Sequence, residues 1–136
     1  MSDFNELDSA TFSTGQVGPA AFASLQDQGF ACVVCHRPDG EEPDQPTAES
    51  LRQAADAAGL RFVHLPVSGL PHAAAVAGTR EVLESVKPGE KVLMFCRSGM
   101  RSTAAWAMAR AAMGDDPEDL RDAAARAGYD LSRVPL

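Results

Sequence analysis

Val92-Leu93-Met94-Phe95-Cys96-Arg97-Ser98-Gly99-Met100-Arg101-Ser102 is the stretch that decides the fold. Lys91 to Phe95 is a short apolar run without alternation, the pattern of a strand buried on both faces. Cys96 ends it and Gly99 supplies a tight turn. Met100 to Met113 then reads as a helix apolar on nearly all sides apart from Arg101 and Arg110, and therefore centrally packed. In such a strand–turn–helix unit the backbone N–H groups of Arg97, Ser98, Gly99 and Met100 converge at the helix N-terminus, where the dipole adds to an anion site. Cys96 lies at its rim, with Arg97 and Arg101 close by. Each influence favours thiolate over thiol, which makes Cys96 the candidate nucleophile. Arg101 offers a planar fork for two oxygens of an oxyanion. Ser102 can donate its hydroxyl to the thiolate and steady it as a leaving group.

Outward from this loop, strand and helix patterns alternate. Residues 1–8 read as a loose tail and 9–136 as a single domain. Ala10 to Thr14 reads as a short edge strand, and Gly18-Pro19 opens a helix that Gly29 can end. Phe30 to Cys35 is a second doubly buried strand, and Arg37 to Pro43 is turn chemistry. Thr47 caps a helix that stops at Gly59, Arg61 to Leu65 is a strand stopped by Pro66, and residues 72–86 are helical. Pro117 begins a last amphipathic helix through Ala127. The order predicts an α/β fold: a small central, mostly parallel sheet flanked by helices.

The whole chain has 136 residues, one domain's worth, with 12 Lys and Arg against 19 Asp and Glu for a net charge of −7. That excess argues against nucleic acid or an anionic membrane as partner, but leaves room for one small basic pocket. No apolar run reaches membrane-spanning length, and the acidic N-terminus does not resemble a secretory leader. Three cysteines, an odd number without regular spacing, make a reduced, cytoplasmic setting the default expectation.

Cys96-x-x-Gly99-x-Arg101-Ser102 resembles the oxyanion loop shared by cysteine phosphatases and rhodanese-type sulfurtransferases. The wider chain, through Phe12-Ser-Thr-Gly-Gln16, Arg37-Pro-Asp-Gly-Glu41 and His64-Leu-Pro-Val67, is similar to one bacterial family. This is the phosphatase-like domain of the beta-lactamase-hydrolase-like proteins (DUF442), and the likeness covers about residues 10–112. It implies the dual-specificity-phosphatase fold, with the Cys loop at the edge of the sheet.

Two chemistries compete for that loop. As a phosphatase-like hydrolase, Cys96 attacks phosphorus while the loop amides and Arg101 hold the oxygens, and water resolves the phosphocysteine. As a sulfurtransferase, Cys96 carries a persulfide from donor to thiol acceptor. Four residues separate Cys96 from Arg101, one fewer than the usual phosphatase loop, which resembles the rhodanese type. Ser68-Gly69 stands where related phosphatases carry an acid, and no Asp occurs between Asp56 and Cys96. A poor leaving group needs a proton donor and sulfur transfer does not. Asp39, or Glu41, could replace the missing acid if the Phe30–Cys35 strand neighbours the Cys96 strand. Arg37 either widens the positive pocket or pairs with Glu41. The hydrolase reading is preferred on the breadth of the resemblance, with a small oxyanion, phosphoester or persulfide as substrate.

The remaining signals favour structure. Cys32 and Cys35, three apart on a strand, face opposite ways and read as core residues. His64 reads as a satisfied rim or core histidine and His72 as an exposed residue at a helix start. No group has metal-ligand spacing, so neither metal nor cofactor is expected. An inactive oxyanion-binding adaptor is the non-enzymatic alternative, and it leaves the thiol of Cys96 without a purpose.

Overall fold

The computed structural model describes residues 4–136. Five strands form one sheet: β1 (Asn5–Glu6), β2 (Thr11–Thr14), β3 (Phe30–Cys35), β4 (Arg61–His64) and β5 (Lys91–Phe95), in the order β1-β2-β5-β3-β4. Only the β1–β2 pair is antiparallel, so the sheet is mostly parallel as the alternation predicts. Four helices complete the fold: α1 (Ala48–Ala57), α2 (Ala73–Ser85), α3 (Met100–Ala112) and α4 (Pro117–Arg126). Residues 19–28, expected as one helix, form two short 3-10 segments closed by Gly29.

Side chains of β3 and β5 alternate between two cores, which is why both strands read as unbroken apolar runs. Val92, Met94, Cys32 and Val34 pack with residues of α2, α3 and α4. Leu93, Phe95, Val33 and Cys35 pack with Phe22, Leu25, Leu51 and Ala55 from the 3-10 segments and α1. Cys32 and Cys35 thus belong to different cores, both as free thiols, and burial pushes each up to about 11. Complete burial of a side chain such as Leu93 contributes about 1.5–3 kcal/mol. Trp106 is also core, its indole N–H donating to Asp8 at 3.2 Å.

Two local expectations change. Of the loose tail expected over residues 1–8, residues 1–3 lie outside the described residues, and in the rest Asn5–Glu6 pairs with β2 and Leu7 is buried. The strand at Thr11–Thr14 is consequently covered on its outer side and lies second in the sheet, not at its edge. Leu7 alone among polar neighbours gives too little periodicity to reveal such a short strand.

Candidate active site

β5 delivers Cys96 to the carboxyl end of the sheet between two parallel neighbours. On one side the Cys96 N–H donates to Thr14 O at 3.4 Å and the Gln16 N–H to Arg97 O at 3.3 Å. On the other, the His36 N–H donates to Phe95 O at 2.8 Å. Gly15 lets these backbones approach: a Cβ there would stand 2.9 Å from Arg97 O. The chain then reverses at Gly99, whose φ of 95° is left-handed and which caps α3. Its N–H donates to Cys96 Sγ at 3.1 Å, so an amide at the N-terminus of α3 points at the sulfur. Tyr129 braces the loop from outside, donating to Ser98 O at 3.1 Å while Asn5 Nδ2 donates to its oxygen at 2.8 Å. Cys96 itself is fully buried.

Arg101, in the first turn of α3, is held in a fixed plane. Nη1 donates to Glu41 Oε2 at 2.8 Å and to Val67 O at 2.6 Å, and Nη2 donates to Glu41 Oε1 at 2.8 Å. Of the five guanidinium N–H bonds these use three; the Nε–H and one Nη2–H form a second fork on the side edge. The hydrogen bond to Glu41 raises the Arg101 pKa first, and the charge on Cys96 adds to it. Glu41 in turn is held down to about 2 by its hydrogen bonds, first from Arg101 and then, against burial, from Arg37.

Arg37 is buried, its Nε donating to Glu41 at 2.8 Å, Nη2 to Glu42 at 2.6 Å and Nη1 to Gln16 at 3.0 Å. Of the two roles the sequence allows it, the structure displays the pairing. Arg97 is exposed and lies 3.5 Å from Glu42. The basic pocket is therefore three guanidiniums laced by two carboxylates, gathered because β3 does neighbour β5 and sends its loop to the same sheet end.

The other site residues have partners of their own. Asp39 Oδ1 accepts the N–H of Ala48, the first residue of α1, at 2.8 Å. Ser98 Oγ accepts from the Met100 N–H at 3.3 Å. Ser102 Oγ lies 2.8 Å from Nδ1 of His36, whose Nε2 lies 3.0 Å from Thr79 Oγ1, all three residues being buried. His64 Nε2 stands 2.9 Å from Arg37 O at the pocket rim, and His72 caps α2 from an exposed position. Ser68 and Gly69, where an acid is expected, line a cleft of about 370 Å³ with Leu70, Pro71 and Met100 beside Arg101. Sequence reading passed over His36 and Tyr129. His36 follows a doubly buried strand directly, a signal that it too is buried; Tyr129 carries no signal before the chain is folded.

A mostly parallel sheet with a cysteine loop at its carboxyl end, followed by a central helix carrying Arg101, defines the dual-specificity and tyrosine phosphatase fold. The kinase-associated phosphatase superposes on it at a TM-score of 0.70, covering 88% of this chain and 79% of its own, at 17% identity. The chain belongs to the family of the beta-lactamase hydrolase-like protein, phosphatase-like domain, whose model matches residues 3–113. A beta-lactamase hydrolase-like protein of Agrobacterium fabrum (strain C58) is 35% identical over 120 residues, 86% of this chain. The match takes in 27% of that protein, so the chain spans about a quarter of the length of its curated relatives. Among solved structures, a candidate phosphatase of Neisseria meningitidis Z2491 has a TM-score of 0.79 at 28% identity, covering 94% of this chain and 90% of its own. None of the helices among the described residues is long and apolar enough to cross a membrane.

Proposed function

We propose that this phosphatase-like domain is a cysteine-dependent hydrolase of phosphate monoesters. Cys96 Sγ attacks phosphorus in line, the P–O bond to the leaving group breaks, and a phosphocysteine forms. Water then attacks phosphorus, the P–S bond breaks, and inorganic phosphate departs as Cys96 regains its thiolate. The amides of Arg97 and Ser98 and the side edge of Arg101 hold the equatorial oxygens as charge develops, while the Gly99 N–H serves the sulfur. The observation that carries this reading is the Gly99 N–H donating to Cys96 Sγ at the N-terminus of α3. A helix N-terminus aimed at a sulfur favours its anion and then the anion bound in front of it.

The leaving group has to depart unaided. Glu41, held down to about 2, has no proton to give at neutral pH, and Asp39 is engaged with Ala48. The hydrolase is accordingly selective for good leaving groups such as aryl phosphates and slow on alkyl esters.

The same observation favours a second reading, transfer of a sulfane sulfur through a Cys96 persulfide, which needs no acid. One experiment separates the two. The intact mass of the protein is measured after brief exposure to thiosulfate and, separately, to an aryl phosphate, with Cys96→Ser as control. Phosphate release dependent on Cys96, without a sulfur adduct, supports the hydrolase. A one-sulfur adduct confined to Cys96, without phosphate release, overturns it in favour of sulfur transfer.

A further inference from the structure

The peptide unit between Ser98 and Gly99 is hydrogen-bonded at both of its polar ends. Its N–H, on Gly99, donates to Cys96 Sγ at 3.1 Å, and its carbonyl, on Ser98, accepts from the Tyr129 hydroxyl at 3.1 Å. Tyr129 must be the donor, since a carbonyl oxygen only accepts. The unit is trans and planar, so its C=O and N–H point in opposite directions. Whatever fixes the carbonyl outward therefore fixes the amide inward.

Glycine by itself does not settle that orientation. Gly99 has a φ of 95°, and turning the peptide over would carry φ to a negative value that glycine adopts about as readily. The turned loop would present the Ser98 carbonyl to the sulfur in place of the amide, an acceptor facing a thiolate. A side chain at 99 would collide with the Tyr129 hydroxyl, so the missing Cβ is also what admits Tyr129 to the loop.

Tyr129 is itself placed by α4. The helix ends in a Schellman motif: Gly128, with a φ of 98°, donates to Ala125 O at 3.0 Å, and the Tyr129 N–H donates to Ala124 O at 2.8 Å. The side chain packs against the core to which Leu131 and Val134 belong. Asn5 Nδ2, from β1, donates to the hydroxyl oxygen at 2.8 Å. This whole segment follows residue 113, where the match to the family model ends.

We propose that Tyr129 is a positioning residue for the Cys96 loop, its hydroxyl holding the Ser98–Gly99 peptide in the orientation that turns the Gly99 N–H onto the sulfur. Its consequence for the reaction rests on Cys96 being the nucleophile, and is the same whether phosphorus or sulfur is transferred. A hydrogen bond accepted at the carbonyl also polarises the peptide and strengthens its N–H as a donor. The groups that the proposed mechanism gives to the substrate oxygens, the Arg97 and Ser98 amides and Arg101, lie outside this peptide unit. Tyr129 therefore governs the sulfur and not the affinity for substrate.

Tyr129→Phe removes the hydroxyl and keeps the ring. In that variant alkylation of Cys96 by iodoacetamide, located by peptide mass, should slow by about tenfold. With an aryl phosphate kcat should fall by a similar factor while KM stays within about twofold, as when an interaction serves the nucleophile alone. Hydrogen exchange of the assigned backbone amides, read by NMR, should show protection lost at Gly99 and kept through α3 and α4. Unchanged alkylation and kcat, or a Gly99 amide as protected as before, overturn the inference and leave the hydrolase reading standing. So does protection lost throughout α4 together with Gly99, which makes Tyr129 a packing residue. Turnover that survives Cys96→Ser overturns the hydrolase reading instead, and the Gly99 amide, which needs no substrate, still decides the role of Tyr129.

Discussion

Glu41 and Arg101 form a two-pronged ion pair, each terminal nitrogen of the guanidinium donating to a different carboxylate oxygen at 2.8 Å. Arg37, donating to the same carboxylate, fixes Glu41 from behind. The pair sets the plane of Arg101 and leaves its Nε edge as the fork for an incoming oxyanion. In the proposed mechanism Glu41 therefore acts through Arg101 and not as a proton donor.

Glu41→Ala should lower kcat/KM for an aryl phosphate by about tenfold, the cost of an unanchored bidentate group. Glu41→Gln, which keeps one acceptor oxygen, should lose less. Steady-state kinetics on both variants check this, and a rate increase would instead make Glu41 a competitor of substrate for Arg101.

Acid stability should fall in two overlapping windows. Glu41 is depressed from 4.5 to about 2, so its stabilisation is complete above about pH 4.5 and is lost as pH drops towards 2. His36 is depressed from 6.5 to about 3; below 6.5 the unfolded chain takes up a proton that the native one refuses, and stability declines until about pH 3. Urea unfolding between pH 7 and 3 should therefore show a shallower slope in His36→Asn than in the unaltered protein. Parallel slopes would mean that His36 is protonated in the native state.

Gly99→Ala places a methyl group against the Tyr129 hydroxyl in a left-handed conformation. It should cost about 1–3 kcal/mol in stability from backbone strain alone. Loss of alignment of the Gly99 N–H on Cys96 Sγ should also reduce turnover by about a hundredfold or more. Thermal unfolding and kinetics read the two effects, and wild-type turnover would remove this amide from the mechanism.

Asp39→Asn retains an oxygen for the Ala48 N–H and removes the negative charge at the N-terminus of α1. A stability loss of about 0.3–1 kcal/mol with an unchanged pH–rate profile is expected. A rate fall confined to alkyl esters, with a lost alkaline limb, would instead make Asp39 the general acid.

Much of the fold was legible because its signals are local. The Phe30–Cys35 and Lys91–Phe95 runs, Thr47 before α1 and the Gly99 turn each announce their element within a few residues. The two-residue strand Asn5–Glu6 has no such signal, since pairing with β2 and the burial of the neighbouring Leu7 are what hold it. The split of residues 19–28 into 3-10 segments is likewise settled by packing of Phe22 and Leu25 into the core beside α1.

The sequence by itself determined that Cys96, Arg101 and the amides between them share one loop, because strand, glycine turn and helix lie consecutively in the chain. It also determined that Cys32 and Cys35 face apart, because strand side chains alternate. Only the tertiary structure decided how the charges are matched and which buried polar groups meet. Glu41 meets Arg101 across 60 positions and Ser102 meets His36 across 66, contacts made by strand order and helix packing. A buried polar group needs a partner, and partners this far apart in the chain come together only once the sheet has formed.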